Sequence, residues 1–168
     1  MNDSVQIKEL MDCFRRIVHS LRSSHRAAAD IDLTGAQLFV LTTLGAAAAP
    51  LGVKELAEAT GTDQSTVSVV VGRLVDRGLV KRVRSAVDTR RVELSLTARG
   101  RTLQRKAPAT TAQMRLAEAL GRLSPSDADT LARILGAIID LMGDSGAPAP
   151  MLFDDGGGEA DGARPRKK

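Results

Sequence analysis

Aromatic side chains are almost absent from this sequence, which contains three Phe, no Trp and no Tyr in 168 residues. Proteins that bind single-stranded nucleic acid stack the bases on aromatic side chains, so the composition disfavours that class. Cysteine is nearly absent as well. Cys13 is the single cysteine, which excludes a disulfide within the chain.

Long apolar runs are also lacking. No stretch of about 18 consecutive apolar residues occurs, so the sequence predicts no membrane-spanning helix. Residues 1–4 are mostly polar and do not begin the apolar core of a secretory signal. Together with the single cysteine, these features predict a cytoplasmic protein.

The sequence lacks the motifs of common enzyme classes. It has no phosphate-binding glycine loop, no nucleophile elbow and no paired-carboxylate arrangement. The two histidines, His19 and His25, have no companions at the spacing of metal ligands. We therefore expect neither catalytic activity nor a metal site nor a cofactor.

Positive charge is present and is concentrated in one segment. Residues 77–106 contain ten Lys or Arg and two acidic residues, a net charge of +8. The whole chain carries only +4, so the remainder sums to −4. A focused basic segment is the electrostatic footprint of a protein that binds nucleic acid phosphates.

Residues 56–97 predict two helices joined by a tight turn and followed by a β-hairpin. Gly61 ends the first helix, Thr62 or Asp63 caps the second, and Gly78 ends the second helix after about residues 64–77. The inner face of the second helix is predicted to be Val67, Val70, Val71, Leu74 and Val75. Its outer stripe is Ser65, Ser68, Val69, Gly72 and Asp76.

Small residues dominate that outer stripe, although an exposed helix face usually carries long charged side chains. A stripe of small residues lets the helix backbone approach a wide partner, and the major groove of duplex DNA admits a helix. The helix residues predicted to contact DNA are Gln64, Ser65, Thr66, Ser68, Val69, Gly72 and Arg73. A plain exposed helix is the alternative interpretation of the same pattern.

The hairpin strengthens the DNA-binding interpretation. Residues 79–84 and 91–96 are the predicted strands, since Val92, Leu94 and Leu96 alternate with polar residues. The fold class predicted is therefore mainly α with a small β-wing, a winged helix-turn-helix with long N- and C-terminal dimerisation helices. From the wing, the residues predicted to contact DNA are Arg84, Asp88, Arg90 and Arg91.

These residues resemble the MarR family of bacterial transcriptional regulators. The match comprises Asp88-x-Arg90 followed by Leu96-Thr97 and Gly100, together with residues 65–68, 74 and 77–80. The resemblance implies that Arg90 enters the minor groove and that Asp88 orients it by a salt bridge. Taken without the family, an Asx turn at Asp88 with a solvated Arg90 fits these two residues equally well.

Two positions depart from the family pattern. Many relatives carry Arg where this chain has Val69, and an acidic residue where it has Gly72. The affinity or sequence preference of this chain is therefore expected to differ from the usual one.

The rest of the chain is predicted to be helical up to residue 142. The expected helices cover residues 5–29, a segment beginning after a Thr34–Gln37 capping box, residues 53–60, a segment from Thr97 to about Arg122 bent at Pro108, and a last helix after Ser124. Residues 1–142 are expected to form one domain, with residues 34–97 binding DNA and residues 5–29 and 98–142 mediating dimerisation. Residues 143–168 are predicted to be a disordered tail.

The first and last helices carry more apolar surface than a small winged helix can bury alone, which predicts a homodimer. A two-fold dimer places its recognition helices about 34 Å apart, so the operator is expected to be pseudo-palindromic. The family resemblance implies a repressor that small aromatic acids or oxidants control.

Three alternatives remain open: two ways of regulating DNA binding, and one function without DNA. A small anionic or aromatic effector is expected to bind near Arg15, Arg16, His19 and Arg22, with His25 nearby. An oxidant sensor acting through Cys13 is the second, although the tyrosines that assist such cysteines in the family are missing. The third is a protein-binding winged helix that has no affinity for DNA.

Overall fold

The computed structural model describes residues 3–85, 90–144 and 151–154. Within these ranges the chain forms seven helices and one two-stranded antiparallel sheet. In chain order, the elements are α1 (Asp3–Ala29), α2 (Gly35–Ala46), α3 (Val53–Thr60), α4 (Gln64–Asp76), β1 (Val80–Arg84), β2 (Val92–Leu96), α5 (Ala98–Lys106), α6 (Ala112–Gly121) and α7 (Pro125–Met142). The predicted fold class, mainly α with a small β-wing, is confirmed.

Four helices, α2, α4, α5 and α7, begin at capping residues that the sequence predicts. Thr34 Oγ1 accepts a hydrogen bond from the backbone N–H of Gln37 at 3.1 Å, and Gln37 Oε1 accepts one from the N–H of Thr34 at 3.2 Å. This reciprocal pair satisfies two N–H groups at the start of α2. Ser124 caps α7 by accepting from the N–H of Asp127 at 3.2 Å, and Pro125 is the first helical residue.

Glycines bound the helix-turn-helix on both sides of α4. Gly61 and Gly78 have φ angles of 62° and 66°, in the left-handed region that favours glycine. Of the two candidate caps, Asp63 is the one used, because its carboxylate accepts from the N–H of Thr66 at 2.8 Å. Helix α4 ends at Asp76, one residue earlier than predicted, and Arg77 is its C-cap.

The wing is a short hairpin held to the body by a third segment. Val80 lies opposite Leu96, and Arg84 lies opposite Val92. Each strand is one residue shorter than the sequence predicts. The N–H of Leu94 donates to the carbonyl oxygen of Leu51 at 2.8 Å, just before α3 begins. The base of the wing is therefore hydrogen-bonded to the segment that leads into α3.

A single apolar core lies between α2, α4 and the wing. Helix α2 is its centre, because residues on all sides of that helix are buried. Helix α4 contributes Val67, Val70, Val71 and Leu74, with Val75 partly buried, as predicted. Burying this face directs the opposite face of α4 outward, which positions the candidate site.

The helix predicted from Thr97 to about Arg122 is instead two helices. Helix α5 ends at Lys106 and α6 begins at Ala112. Ala107 has an extended backbone with ψ of 156°, since Pro108 disfavours a helical conformation in the residue before it. A second cap restarts the helix, where Thr111 Oγ1 accepts from the N–H of Met114 at 3.1 Å.

Part of the segment predicted to be a disordered tail packs on the body. Met151 is only 5% exposed and belongs to the core cluster, and Phe153 stacks on His25. Residues 151–153 form an apolar cluster in this otherwise polar segment, and burial of Met151 in the core holds it against the body. Residues 145–150 and 155–168 lie outside the described part of the chain.

Two helices expose apolar faces that nothing in the described chain covers. Helix α7 has no buried residue over its 18 residues, and Leu141 is 89% exposed. On α1 the exposed apolar residues are Val5, Ile7, Leu10, Met11, Phe14, Ile17 and Val18. None of the described helices combines the length and hydropathy that crossing a bilayer requires.

Candidate nucleic-acid interface

The outer face of α4 is open and nearly free of long side chains. Ser65 and Val69 are exposed, Val69 by 50%, and Ser68 and Gly72 are partly exposed. A Cβ built on Gly72 meets no atom within 4 Å. The predicted stripe is therefore a surface on which a partner can approach the helix backbone closely.

The N-terminus of α4 is occupied by its own capping carboxylate. Asp63 accepts hydrogen bonds from the hydroxyl of Ser65, from the N–H of Thr66 at 2.8 Å and from the hydroxyl of Thr66 at 2.7 Å. These bonds, that of Ser65 first, hold the pKa of Asp63 well below its ordinary value. A phosphate at this helix end would meet a negative charge, so contacts from Gln64, Ser65 and Thr66 are better suited to bases than to phosphates.

Arg73 lies at the edge of the exposed stripe, one turn after Val69, and its guanidinium is engaged within the chain. Arg73 Nη1 lies 2.5 Å from Asp154 Oδ1, in the segment that follows α7. The Asp154 side chain is only 8% exposed. The structure thus places this predicted DNA contact in an ion pair with a mostly buried carboxylate.

Arg77 fixes the end of α4 to the loop between α1 and α2. Its Nη2 lies 2.6 Å from Asp32 Oδ2, and its Nη1 donates to Gln37 Oε1 at 3.1 Å. Sequence reasoning assigned Arg77 to the family motif but gave it no partner. Because Gln37 also caps α2, Arg77 links the end of α4 to the start of α2.

Arg91, predicted to contact DNA, ties the wing to α3. Its Nη2 lies 2.8 Å from Glu55 Oε1. The pKa of Glu55 is lowered first by its own backbone N–H and further by Arg91. Glu55 Oε2 also accepts from the N–H of Gly52 at 3.0 Å. Arg91 therefore joins the wing to α3, a role that the sequence pattern did not reveal.

The exposed cations of the wing are at its strands and tip. Lys81, Arg82, Arg84 and Arg90 are all exposed. Asp88, which the family resemblance pairs with Arg90, lies outside the described residues. The described part of the wing therefore carries exposed cations on the strand that follows α4 and at Arg90.

Thr97 joins the base of the wing to the end of α4. Its hydroxyl donates to the carbonyl oxygen of Gly78 at 2.7 Å and accepts from the N–H of Gly100 at 3.0 Å. One side chain therefore caps α5 and holds the turn that follows α4. The spacing of Thr97 and Gly100 in the sequence motif reflects this anchor.

A cavity of about 990 Å³ lies between the helix-turn-helix and α6. It is lined by α2, the turn between α3 and α4, α6 and the segment containing Met151 and Leu152. The ionisable residues that line it are the carboxylates Glu58, Asp63 and Glu118. A large opening beside the start of α4 is a place where a ligand could affect that helix.

The predicted effector residues do not line this cavity. Arg15, Arg16, His19 and Arg22 are exposed on α1, and Arg15 Nη2 lies 3.4 Å from Asp12 Oδ1. Cys13 is exposed on the same helix. Their sequence spacing placed them on one helix but could not show which neighbours that helix meets. Among the described residues, no group of three or more His, Cys, Asp or Glu is arranged to hold a metal ion.

The chain is similar in sequence to a known protein family and to a known transcriptional regulator. A model described as MarR family matches residues 31–91, the part that includes α2, α3, α4 and the first wing strand, β1. The chain is 31% identical over 144 residues to the HTH-type transcriptional regulator MgrA of Staphylococcus aureus, covering 83% of this chain and 94% of that relative.

Two solved structures share the fold. A mutant of MarR from E. coli in complex with operator DNA superposes with a TM-score of 0.53 at 24% identity, covering 80% of this chain and 96% of that one. A mutant of MepR from S. aureus superposes with a TM-score of 0.51 at 23% identity, covering 79% and 97%.

Proposed function

This chain belongs to the MarR family of transcriptional regulators, and from that premise we propose that it is a dimeric regulator that binds a pseudo-palindromic operator in double-stranded DNA. The observation that carries the proposal is the open, small-residue face of α4 beside the exposed cations of the wing. A duplex accepts a helix in the major groove and an arginine in the adjacent minor groove.

In this proposal α4 reads the bases and the wing holds the backbone. Ser65 and Ser68 present hydroxyls to base edges, and Val69 can pack against a thymine methyl group. Gly72 brings the helix axis close to the groove floor. Arg84 and Arg90 supply positive charge to the flanking phosphates or the minor groove, whereas Arg91 keeps its position on Glu55.

The proposed dimer forms through α1 and the C-terminal helices. Their exposed apolar faces need cover, and a second copy of the same faces provides it by two-fold symmetry. The dimer would then present two α4 helices to successive major grooves about 34 Å apart. The regulator would repress transcription where its operator overlaps a promoter. A cytoplasmic location is expected for such a protein.

We propose that an aromatic or otherwise apolar ligand releases the DNA by binding in the cavity beside α4. The lining supports an uncharged ligand better than an anion, because its ionisable residues are carboxylates. A ligand that fits only one spacing between α6 and the helix-turn-helix shifts the population toward that spacing. The cations on α1 remain an alternative site for an anionic effector, and Cys13 an alternative oxidant sensor.

The decisive experiment is fluorescence anisotropy with a labelled duplex from the region upstream of the chain's own gene. Binding to that duplex, with weaker binding to a shuffled duplex of equal length, is the expected result. The logarithm of the affinity should fall with the logarithm of salt by about 0.9 per phosphate contact. No binding to either duplex at low salt would favour a protein-binding winged helix instead.

Two further arms separate the forms of regulation. Adding salicylate probes an anionic aromatic ligand, and adding an uncharged naphthol probes an apolar one. Stoichiometric organic hydroperoxide, followed by added thiol, tests Cys13, with Cys13→Ser as the matched control. Loss of binding that thiol restores in the wild type, and that Cys13→Ser never shows, would establish oxidant control. The matched relatives are transcriptional regulators, and we propose no turnover for this chain.

A further inference from the structure

Residues 151–154, which we name the clasp, contact three helices, α1, α4 and α6. Gln113 Nε2 on α6 donates to the carbonyl oxygen of Leu152 at 3.1 Å. The rings of His25 on α1 and Phe153 stack with centroids 4.9 Å apart and an interplanar angle of 21°. Asp154 reaches α4 through Arg73. Four residues thereby connect α1, α6 and α4.

The clasp packs closely against the start of α2 and into the core. The start of α2 approaches it so closely that a Cβ on Gly35 would lie 2.7 Å from Phe153 Cβ. Met151 is 5% exposed and packs into the core. The N–H of Asp154 donates to the carbonyl oxygen of Met151 at 2.9 Å, which closes the segment into a turn. Phe153 has a φ of 57°, a conformation that a bulky residue adopts only when its contacts hold it there.

The Arg73–Asp154 ion pair differs from an ordinary surface pair. The Asp154 side chain is 8% exposed and that of Arg73 is 33% exposed. A carboxylate this buried is costly to leave without a cationic or hydrogen-bonding partner, whereas exposed ion pairs contribute little. While the clasp is docked, the positive charge of Arg73 is therefore committed to Asp154 and is not available to a phosphate.

Arg73 is also placed where a freed side chain would meet a duplex. It follows Val69 by four residues, so the two side chains are neighbours on the helix surface. Val69 is on the open face of α4 and is 50% exposed. A rotation of the Arg73 side chain away from Asp154 would carry its guanidinium toward the flank of the groove.

We propose that the clasp is an autoinhibitory contact that withholds Arg73 from the DNA backbone, so that clasp docking and tight DNA binding compete. The proposal rests on the proposed function, because it assumes that α4 faces a duplex. It makes the chain's own carboxylate the competitor of a DNA phosphate for one guanidinium. Undocking the clasp would then add one phosphate contact for each protomer.

The test is Asp154→Asn in the full-length chain, which keeps the shape of the side chain and removes its charge. Affinity is measured by anisotropy on the upstream duplex and on a random 40-base-pair duplex at several salt concentrations. We expect binding roughly three- to tenfold tighter at low salt, because the variant binds DNA without first breaking the Arg73–Asp154 pair. Adding Arg73→Ala to Asp154→Asn should remove that gain and lower the salt slope by about 0.9 per Arg73 lost.

The matched control is Asp144→Asn. Asp144 is exposed just beyond α7, and its replacement changes the net charge by the same amount without touching the clasp. Its affinity and salt slope should equal those of the wild type. Equal gains in the two variants would show a general charge effect and overturn the proposal.

A second readout follows the docking of the clasp directly rather than through DNA affinity. The chain has two histidines, so the imidazole C–H signals are few in a proton NMR spectrum. Loss of the Phe153 ring in Phe153→Ala should shift the His25 signal, and saturating DNA should shift the wild-type signal the same way. A His25 signal that DNA does not move would overturn the competition, even if Asp154→Asn proved poorly folded.

The outcomes separate the two proposals. Wild-type binding with no gain in Asp154→Asn overturns the autoinhibitory contact alone and leaves the proposed function standing. A lower melting temperature with weaker binding in Asp154→Asn would make the clasp a structural strap and also overturn the inference. Absence of binding by both proteins at low salt overturns the proposed function and the inference together.

Discussion

The backbone of Gly100 lies directly against the carbonyl group of Leu79. A Cβ built at position 100 would lie 2.0 Å from the carbonyl oxygen of Leu79 and 3.0 Å from its carbon. The same oxygen accepts from the N–H of Thr97 at 3.0 Å. The first turn of α5 is therefore pressed onto the start of the wing, and only glycine leaves room for that approach.

Gly100→Ala should strongly destabilise the protein. The added methyl group would meet backbone rather than a movable side chain, so α5 or the wing must shift, at a cost of about 1–3 kcal/mol or more. Urea denaturation measures the loss. Gly121→Ala is the matched control, since a Cβ there meets no atom within 4 Å. Equal stability of the two variants would contradict the close contact.

Gly72→Ala should raise stability and lower DNA affinity. Alanine stabilises a helix interior by about 1 kcal/mol relative to glycine, and the space at Gly72 is open. In the proposed complex the same methyl group lies between the helix backbone and the groove. Thermal unfolding and anisotropy on the upstream duplex measure the two effects. Tighter or unchanged DNA binding would remove Gly72 from the interface.

Arg90→Ala should weaken operator binding by roughly tenfold or more, because a minor-groove arginine interacts with a strongly negative potential. Size-exclusion chromatography should show the same oligomeric state as the wild type. Arg122→Ala is the control: Arg122 pairs with Glu118 on the exposed surface of α6, and neither residue belongs to α4 or the wing. Equal affinities of the two variants would place Arg90 outside the contact with DNA.

Leu10→Glu should convert the proposed dimer into monomers. Leu10 is 59% exposed in the single chain and belongs to the apolar face of α1. Burying a carboxylate in a subunit interface is costly unless it finds a partner. Light scattering after size exclusion measures the mass. Arg16→Glu, on the opposite side of α1, makes a larger charge change and should remain dimeric, whereas a monomeric wild type would refute the dimer itself.

Asp63 should make stability depend on acid pH. Its pKa is lower in the folded chain than in the unfolded chain, first because of Ser65 and then because of Thr66. Its contribution to stability is therefore present above the unfolded pKa of about 3.9 and is lost as the pH falls toward the folded pKa.

The comparison variant is Asp63→Asn, because asparagine also caps helices but does not titrate in this range. Melting temperatures of both proteins between pH 7 and pH 2 measure the effect. Any excess of the wild-type melting temperature over that of Asp63→Asn should shrink below about pH 4. A difference that stays constant across the whole range would show that the Asp63 carboxylate contributes nothing through its charge.

Patterns among neighbouring residues predicted the helix caps, the turns and the buried face of α4. The Thr34–Gln37 capping box, the left-handed Gly61 and Gly78, and the buried valines of α4 depend on residues three or four positions apart. Hydrogen-bond geometry and helical periodicity act over that distance, so these features could be deduced without coordinates. The outer face of α4 could be predicted as well, because it lies opposite the apolar inner face of the same helix.

The sequence by itself thus determined the helices, the wing and the open face of α4, because each follows from capping, periodicity and charge in neighbouring residues. Only the tertiary structure decided which partner each long side chain takes. Arg91 could not be assigned to Glu55, nor Arg73 to Asp154, 81 residues away, from any local pattern. Such pairs exist because packing brings distant segments together, and a charge shows no preference among distant partners until the chain has folded.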